Sequence, residues 1–183
     1  MLRALISLDL HVSFAPNEGW NGFHQASAVA GGALYPPADS FLFNNYPPLS
    51  FYLGGALGLL TGDNIIAGRW IALAAFLFTA AAIAGAALAL GAGWRAGLFG
   101  AFFFMANLAF DTNYVGINDL QMVGHALGTA GLWLALTGPH RTSRVAGAAL
   151  LLSLALFTKH NLISQPIALF VWLAVAPSLP VDD

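Results

Sequence analysis

Glu18 lies in the stretch APNEGWN, and Asp119 opens the apolar run LQMVGHALGTAGL. A carboxylate held beside an electrophile can accept the proton of an attacking hydroxyl, which is the work of a general base. Each also has a plainer role. A loop glutamate is ordinarily solvated, and an aspartate at a helix N-terminus caps free N–H groups and complements the helix dipole. Asp111, in DTNYVGIND, is a further acid with no capping position of its own. Lys159, the chain's one lysine, stands in FTKHN beside His160 and Asn161. A cation there complements the end of the preceding helix, or holds a phosphate at lipid-headgroup depth. Arg69 sits about a turn inside an apolar segment, where a charge is costly and marks a candidate site; Asp63 is a candidate partner. His125, one turn after Gln121, reads as a hydrogen-bonded interior histidine, while His11 and His24 are scattered. With zero cysteines and no HExxH or His cluster, the spacing argues against a tight metal site. No GxSxG and no glycine-rich phosphate loop occurs.

The elements that position these residues follow from composition. Of 183 residues, 58% are hydrophobic and only 8% charged, against roughly a quarter charged in a soluble domain. So few charges cannot coat a water-soluble globule. A net charge of −2 offers no basic stripe, which excludes a nucleic-acid partner. The expected class is an all-α integral membrane protein in contact with a lipid bilayer. Charge-free runs predict five transmembrane helices: Trp70 to Trp94, Ala96 to Phe110, Leu120 to Thr137, Val145 to Thr158 and Leu162 to Pro177. Breaks at 91–95, 111–119, 138–144 and 159–161 carry the Gly, Pro, Asn and charge of helix ends. The pairs Gly54/Gly58, Gly93/Gly97 and Gly124/Gly128 are small-xxx-small spacings that allow close helix packing.

Residues 9–63 mix Asn, Pro, Gly, aromatics and acids that no lipid-facing helix tolerates. They read as one long outer loop with short helices lying on the membrane surface, the apolar Pro48 to Leu60 among them. Tyr35, Phe41, Phe43, Tyr46, Phe51 and Tyr52 suit a membrane interface. Arg95, Arg141 and Arg144 flank alternate breaks and predict a cytoplasmic side by the positive-inside rule. Glu18, Asp111, Asp119 and Lys159 then share the opposite face. One domain, 1–183, accommodates all of this, with 9–63 outside and 64–178 in the membrane.

Five segments in order carry a family resemblance: EGWNGFHQASAVAGGALYPP, NYPPLSFYLGGALGLLTG, AGRW, NYVGINDLQMVGHALGTAGL and LALFTKHNLISQP. From about Asn17 to Trp172 the chain resembles the start of the GT-C membrane glycosyltransferases. The family 39-like group, related to protein mannosyltransferases and lipid A aminoarabinose transferases, is the nearest in pattern. The resemblance implies transfer of a sugar from a polyprenyl-phosphate donor to a lipid, glycan or protein acceptor. It implies a multi-pass enzyme of the bacterial inner membrane, acting at the non-cytoplasmic face. Carried over, Glu18 matches the acidic motif of the first outer loop and Asp119 the second acid. Lys159 matches a cation near the donor phosphate, and Arg69 the arginine opening the span after the PPL helix. His160 and Tyr46, from the same two motifs, join the donor-binding candidates. No metal ligand is assigned, and the resemblance leaves room for a divalent cation, Mg2+ or Mn2+, as cofactor.

Two departures qualify what is implied. Asn17 stands where the family usually has an aspartate, leaving Glu18 or Asp9 to take the proton. Family members carry a full span before the first motif and more spans after the last. The expectation is therefore an N-terminal part of a longer enzyme, inactive alone or active within its parent. The competing expectation is a non-catalytic membrane protein, part of a transporter or an assembly factor.

Overall fold

The computed structural model of the protein describes residues 2–110, 114–137 and 142–175. Every described element is helical. The chain opens with α1 (Leu2–Ile6) and a 3-10 turn (Ser7–Asp9), followed by α2 (Pro16–Val29) and α3 (Leu49–Thr61). Then come α4 (Asn64–Ala89), α5 (Gly93–Phe110), α6 (Gln121–Leu136), α7 (Thr142–Thr158), a 3-10 turn (His160–Ile163) and α8 (Ser164–Val175). The five predicted spans fall on α4 to α8. One of these, α4, is long and apolar enough by itself to cross a membrane.

Two ends explain why α4 is the central rod. Asp63 caps its start: Oδ1 accepts the N–H groups of Ile65 at 2.7 Å and Ile66 at 3.0 Å. Gly91 ends it, with φ 76°, in a Schellman motif where Gly91 N–H donates to Leu88 and Ala92 N–H to Ala87. The helix thus runs from 64 to 89 rather than from 70 to 94, bounded by the Asp63 cap and the Gly91 turn, with Arg69 about a turn inside it as the sequence suggests. α4 packs against α5 and α6, and α6 against α7. Ala72, Phe76 and Met122 are fully buried between α4 and α6, and Ala4 and Leu8 of the N-terminal segment join that core.

Glycine sets the closest approaches. A Cβ on Gly54 would strike the Gln25 side chain, and one on Gly58 the Asn64 side chain, so α3 seats directly on α2 and the head of α4. Gly124 and Gly128 do the same for Leu162 and Gln165 beside α8. The outward surface is strongly apolar: Phe99 (72% exposed), Phe102 (63%) and Phe103 (62%) on α5, and Phe170 (72%) on α8.

The 9–63 region contains two short helices, α2 and α3, with α3 falling on the apolar 48–60 stretch. α2 is inside-out. Its polar residues Glu18, Asn21, His24 and Gln25 are buried, while Phe23 faces outward at 52% exposure.

Candidate functional site

The buried side of α2 meets α4 and the 114–120 loop in a polar hub. Arg69 is fully buried and uses all five guanidinium N–H groups. Nε donates to Glu18 Oε1 and Nη2 to Glu18 Oε2, each at 2.8 Å, a bidentate fork. The remaining donors go to the carbonyls of Ser7, Leu10 and Val12, each at 2.6 Å. The Phe14 ring lies 4.7 Å from the guanidinium carbon. Glu18 accepts two further bonds, from Phe14 N–H at 2.7 Å and Asn118 N–H at 2.8 Å. Burial pushes the Glu18 carboxyl up, but the Arg69 and backbone donors together with the Arg69 charge outweigh it, so its pKa falls below the ordinary value. Asn118, also fully buried, closes the hub. Its side-chain amide pairs reciprocally with Gln25 at 2.9 Å, and its backbone carbonyl accepts Asn21 Nδ2 at 2.6 Å. Gly68 leaves the space the Asn118 side chain occupies.

A second cluster lies beside the hub and opens to solvent. Lys159 Nζ stands 3.5 Å from Asp119 Oδ1 and 4.1 Å from the centroid of the Tyr46 ring. Asp119 Oδ1 also accepts Gln121 N–H at 2.9 Å, which fixes it at the head of α6; Oδ2 has no donor among the described residues. His160 stacks on the Tyr46 ring with centroids 6.0 Å apart, and Trp20 meets Tyr46 edge-on at 5.5 Å. Local backbone chemistry holds Tyr46 in place: its N–H donates to Asn44 Oδ1 at 2.9 Å, and its carbonyl accepts the Tyr35 hydroxyl at 2.9 Å. Two cavities share Asn17, Tyr46, Asp119 and Lys159 as a common wall. One, about 340 Å³, adds Trp20, Asn21, Phe43 and Asn45; the other, about 300 Å³, adds Tyr114, Ile117, Gln121 and Asn161. Both volumes fall within the roughly 300–1,000 Å³ of small-molecule pockets.

Asp119, Lys159, His160 and Tyr46 are therefore brought together, while Glu18 and Arg69 are joined to each other and line neither cavity. That placement does not fit a proton-accepting Glu18 or a phosphate-binding Arg69, because each has its bonding capacity filled within the hub. Asp63 is not the partner of Arg69; its Oδ2 meets His11 Nδ1 at 2.7 Å. His125 lies 3.3 Å from Gln121 Nε2, as the one-turn spacing suggests. Asp111 and Arg141 lie outside the described residues. Among the described residues no three His, Asp or Glu side chains converge, so the cavities present one carboxylate, Asp119, to a cation. This set does not fit a divalent ion.

Sequence reasoning passed over Asn118, Asn21 and Gln25. The signal was present in α2, where Glu18, Asn21 and Gln25 recur at helical spacing among apolar neighbours. Their partner Asn118 lies 93 residues beyond Gln25, and nothing local announces it.

No family model, no curated protein and no solved structure matches this chain.

Proposed function

We propose that the protein is a multi-pass glycosyltransferase of the bacterial inner membrane, taking a sugar from a polyprenyl-phosphate donor at the non-cytoplasmic face. The observation that carries this reading is the Asp119–Lys159 pair beside Tyr46, on the wall of two cavities at one end of the helices. In the resting pair the charges neutralise each other. A donor phosphate competes for Lys159 and releases Asp119. The acceptor hydroxyl then loses its proton to Asp119 Oδ2 as its oxygen bonds the anomeric carbon. The bond from that carbon to the phosphate oxygen breaks, and the electron pair leaves on the polyprenyl phosphate, whose charge Lys159 stabilises. Glu18 and Arg69 position this site from behind, since the Glu18 bond to Asn118 N–H fixes the residue preceding Asp119.

The test is transfer of a labelled sugar from a polyprenyl-phosphate donor by proteoliposomes containing the protein. Asp119→Asn keeps an oxygen for Gln121 N–H but cannot take a proton. Its rate is expected to fall by roughly 10²–10⁴ with folding intact. Full activity in that variant would remove Asp119 from the mechanism.

A further inference from the structure

The two cavities differ in chemistry, and the difference bears on which sugar is transferred. The cavity on the Trp20 side is walled by three aromatic rings, Trp20, Phe43 and Tyr46, and three amides, Asn17, Asn21 and Asn45. Its charged lining is Asp119 and Lys159, which face each other at 3.5 Å. The cavity on the other side adds Gln121, Asn161 and the Tyr114 ring around the same pair.

We infer that the Trp20 cavity is the subsite for the transferred ring and that it selects an uncharged pyranose over an amino sugar or a uronic acid. This rests on the glycosyl-transfer reading and deepens it. A pyranose presents a face of C–H groups, which packs on an aromatic ring, and a rim of hydroxyls that each donate and accept. Amides are the side chains that offer both a carbonyl acceptor and N–H donors to such a rim. Asn21 already gives one N–H to the Asn118 carbonyl, so its orientation is set by the hub before any sugar arrives. Lys159 and Asp119 are committed to the phosphate and the acceptor proton. No further charge lines the cavity among the described residues to pair with a carboxylate or an ammonium on the ring. A charged ring finds no ion-pair partner there, whereas the hydroxyls of a neutral ring find matching amides.

Asn17 is the joint between the two cavities, lining both. An aspartate there would put an unpaired carboxylate against the ring and favour a cationic sugar. The amide removes that preference.

The test uses the protein in lipid nanodiscs with methyl mannopyranoside, methyl glucopyranoside, methyl glucosaminide and methyl glucuronoside as probes. Binding is read by saturation-transfer NMR and competition. The two neutral glycosides are expected to bind, with the charged two at least roughly tenfold weaker, about one lost hydrogen bond or unpaired charge. Asn45→Leu, a substitution at an exposed position outside the hub, and Trp20→Phe are each expected to weaken neutral binding roughly tenfold. Asn17→Asp is expected to raise the relative binding of the glucosaminide. Equal or tighter binding of a charged glycoside, binding insensitive to both Asn45→Leu and Trp20→Phe, or no glycoside binding would each overturn the inference. Neutral binding with this profile but no transfer from any lipid-linked donor would instead overturn the transferase reading. Transfer of a charged sugar would leave that reading standing and sink the subsite.

Discussion

Glu18 and Arg69 are each 0% exposed and satisfied by one another, so neither can be removed singly without leaving a buried charge uncompensated. Glu18→Gln and Arg69→Gln are each expected to destabilise the protein by about 3–5 kcal/mol in thermal unfolding in detergent. The double variant should lose clearly less than the sum of the two, because the second substitution removes the charge the first one stranded. A loss of transfer in Glu18→Gln that tracks the loss of folded protein would mark a positioning residue. The same pair gives a pH dependence. With its folded pKa below the ordinary 4.5, Glu18 contributes in full above that value, and the contribution is lost as pH falls toward the depressed one. His24 acts in a higher window. It is 1% exposed, its ring nitrogens have no partner among the described residues, and burial lowers its pKa from 6.5. As pH falls below about 6.5 the unfolded chain takes up a proton that the folded chain refuses, so stability drops. Trp20, Phe23 and Phe51 surround the ring at 4.3, 5.3 and 5.5 Å. His24→Phe, which suits that box, should flatten the loss of melting temperature between pH 7 and 5 while leaving the steeper loss below it. A slope unchanged in the variant would clear His24 of the effect.

At the scale of elements, the apolar runs announced α4 to α8, because an uninterrupted stretch of Ala, Leu and Phe has few other ways to satisfy its backbone. The exception is the head of α4. The charge-free run starts at Trp70, yet the helix begins at Asn64 with Arg69 about a turn inside it, because a guanidinium with five internal partners is no longer a charge seeking water. Of the candidate site, Asp119 at a helix head and Lys159 at a helix end were legible from position, and Tyr46 as an interface aromatic in the NYPPL segment that carries the family resemblance. Their meeting was not legible, nor was the withdrawal of Glu18 into the hub. Both depend on contacts between α2, the 114–120 loop and the 158–163 turn, which periodicity along one helix cannot report. Gly68 joins these elements. A Cβ there would drive into the Asn118 side chain, which is held by Gln25 and Asn64 and cannot step aside. Gly68→Ala is therefore expected to cost about 1–3 kcal/mol by overpacking, despite the better helix propensity of alanine. Melting at or above the wild-type temperature would show that the α4–loop contact yields.

Among the described residues, the charges of the helical body lie at two ends, and its flanks are apolar. Arg69, Asp119 and Lys159 sit with the hub and cavities, while Arg95 opens α5 and Arg144, bonded to the Thr137 carbonyl, opens α7 at the other end. Between them Leu77 and Phe78 on α4, Phe99 and Phe103 on α5 and Phe170 on α8 face outward, each at least 46% exposed. In water such a surface would be an aggregation patch, and in lipid it is ordinary. Among the described helices α4 is long and apolar enough by itself to cross a membrane, and the proposed multi-pass arrangement makes a sharper demand. The chain has no cysteine, so single cysteines report position without background. Asp39→Cys, on the exposed 35–46 loop, should react with a membrane-impermeant maleimide in intact spheroplasts. Ser143→Cys, exposed at the start of α7, should react only after permeabilisation. Phe78→Cys is the discriminating variant. Its position is 48% exposed in the folded chain, so a water-soluble protein would label it as readily as Asp39→Cys. In a bilayer it should resist the reagent with or without permeabilisation and yield only when detergent or denaturant strips the lipid. Prompt labelling of Phe78→Cys in membranes would mean that water, not lipid, covers α4. Labelling of Asp39→Cys and Ser143→Cys from the same side would mean that the helices between them cross the membrane an even number of times or not at all, and the proposed topology would fall.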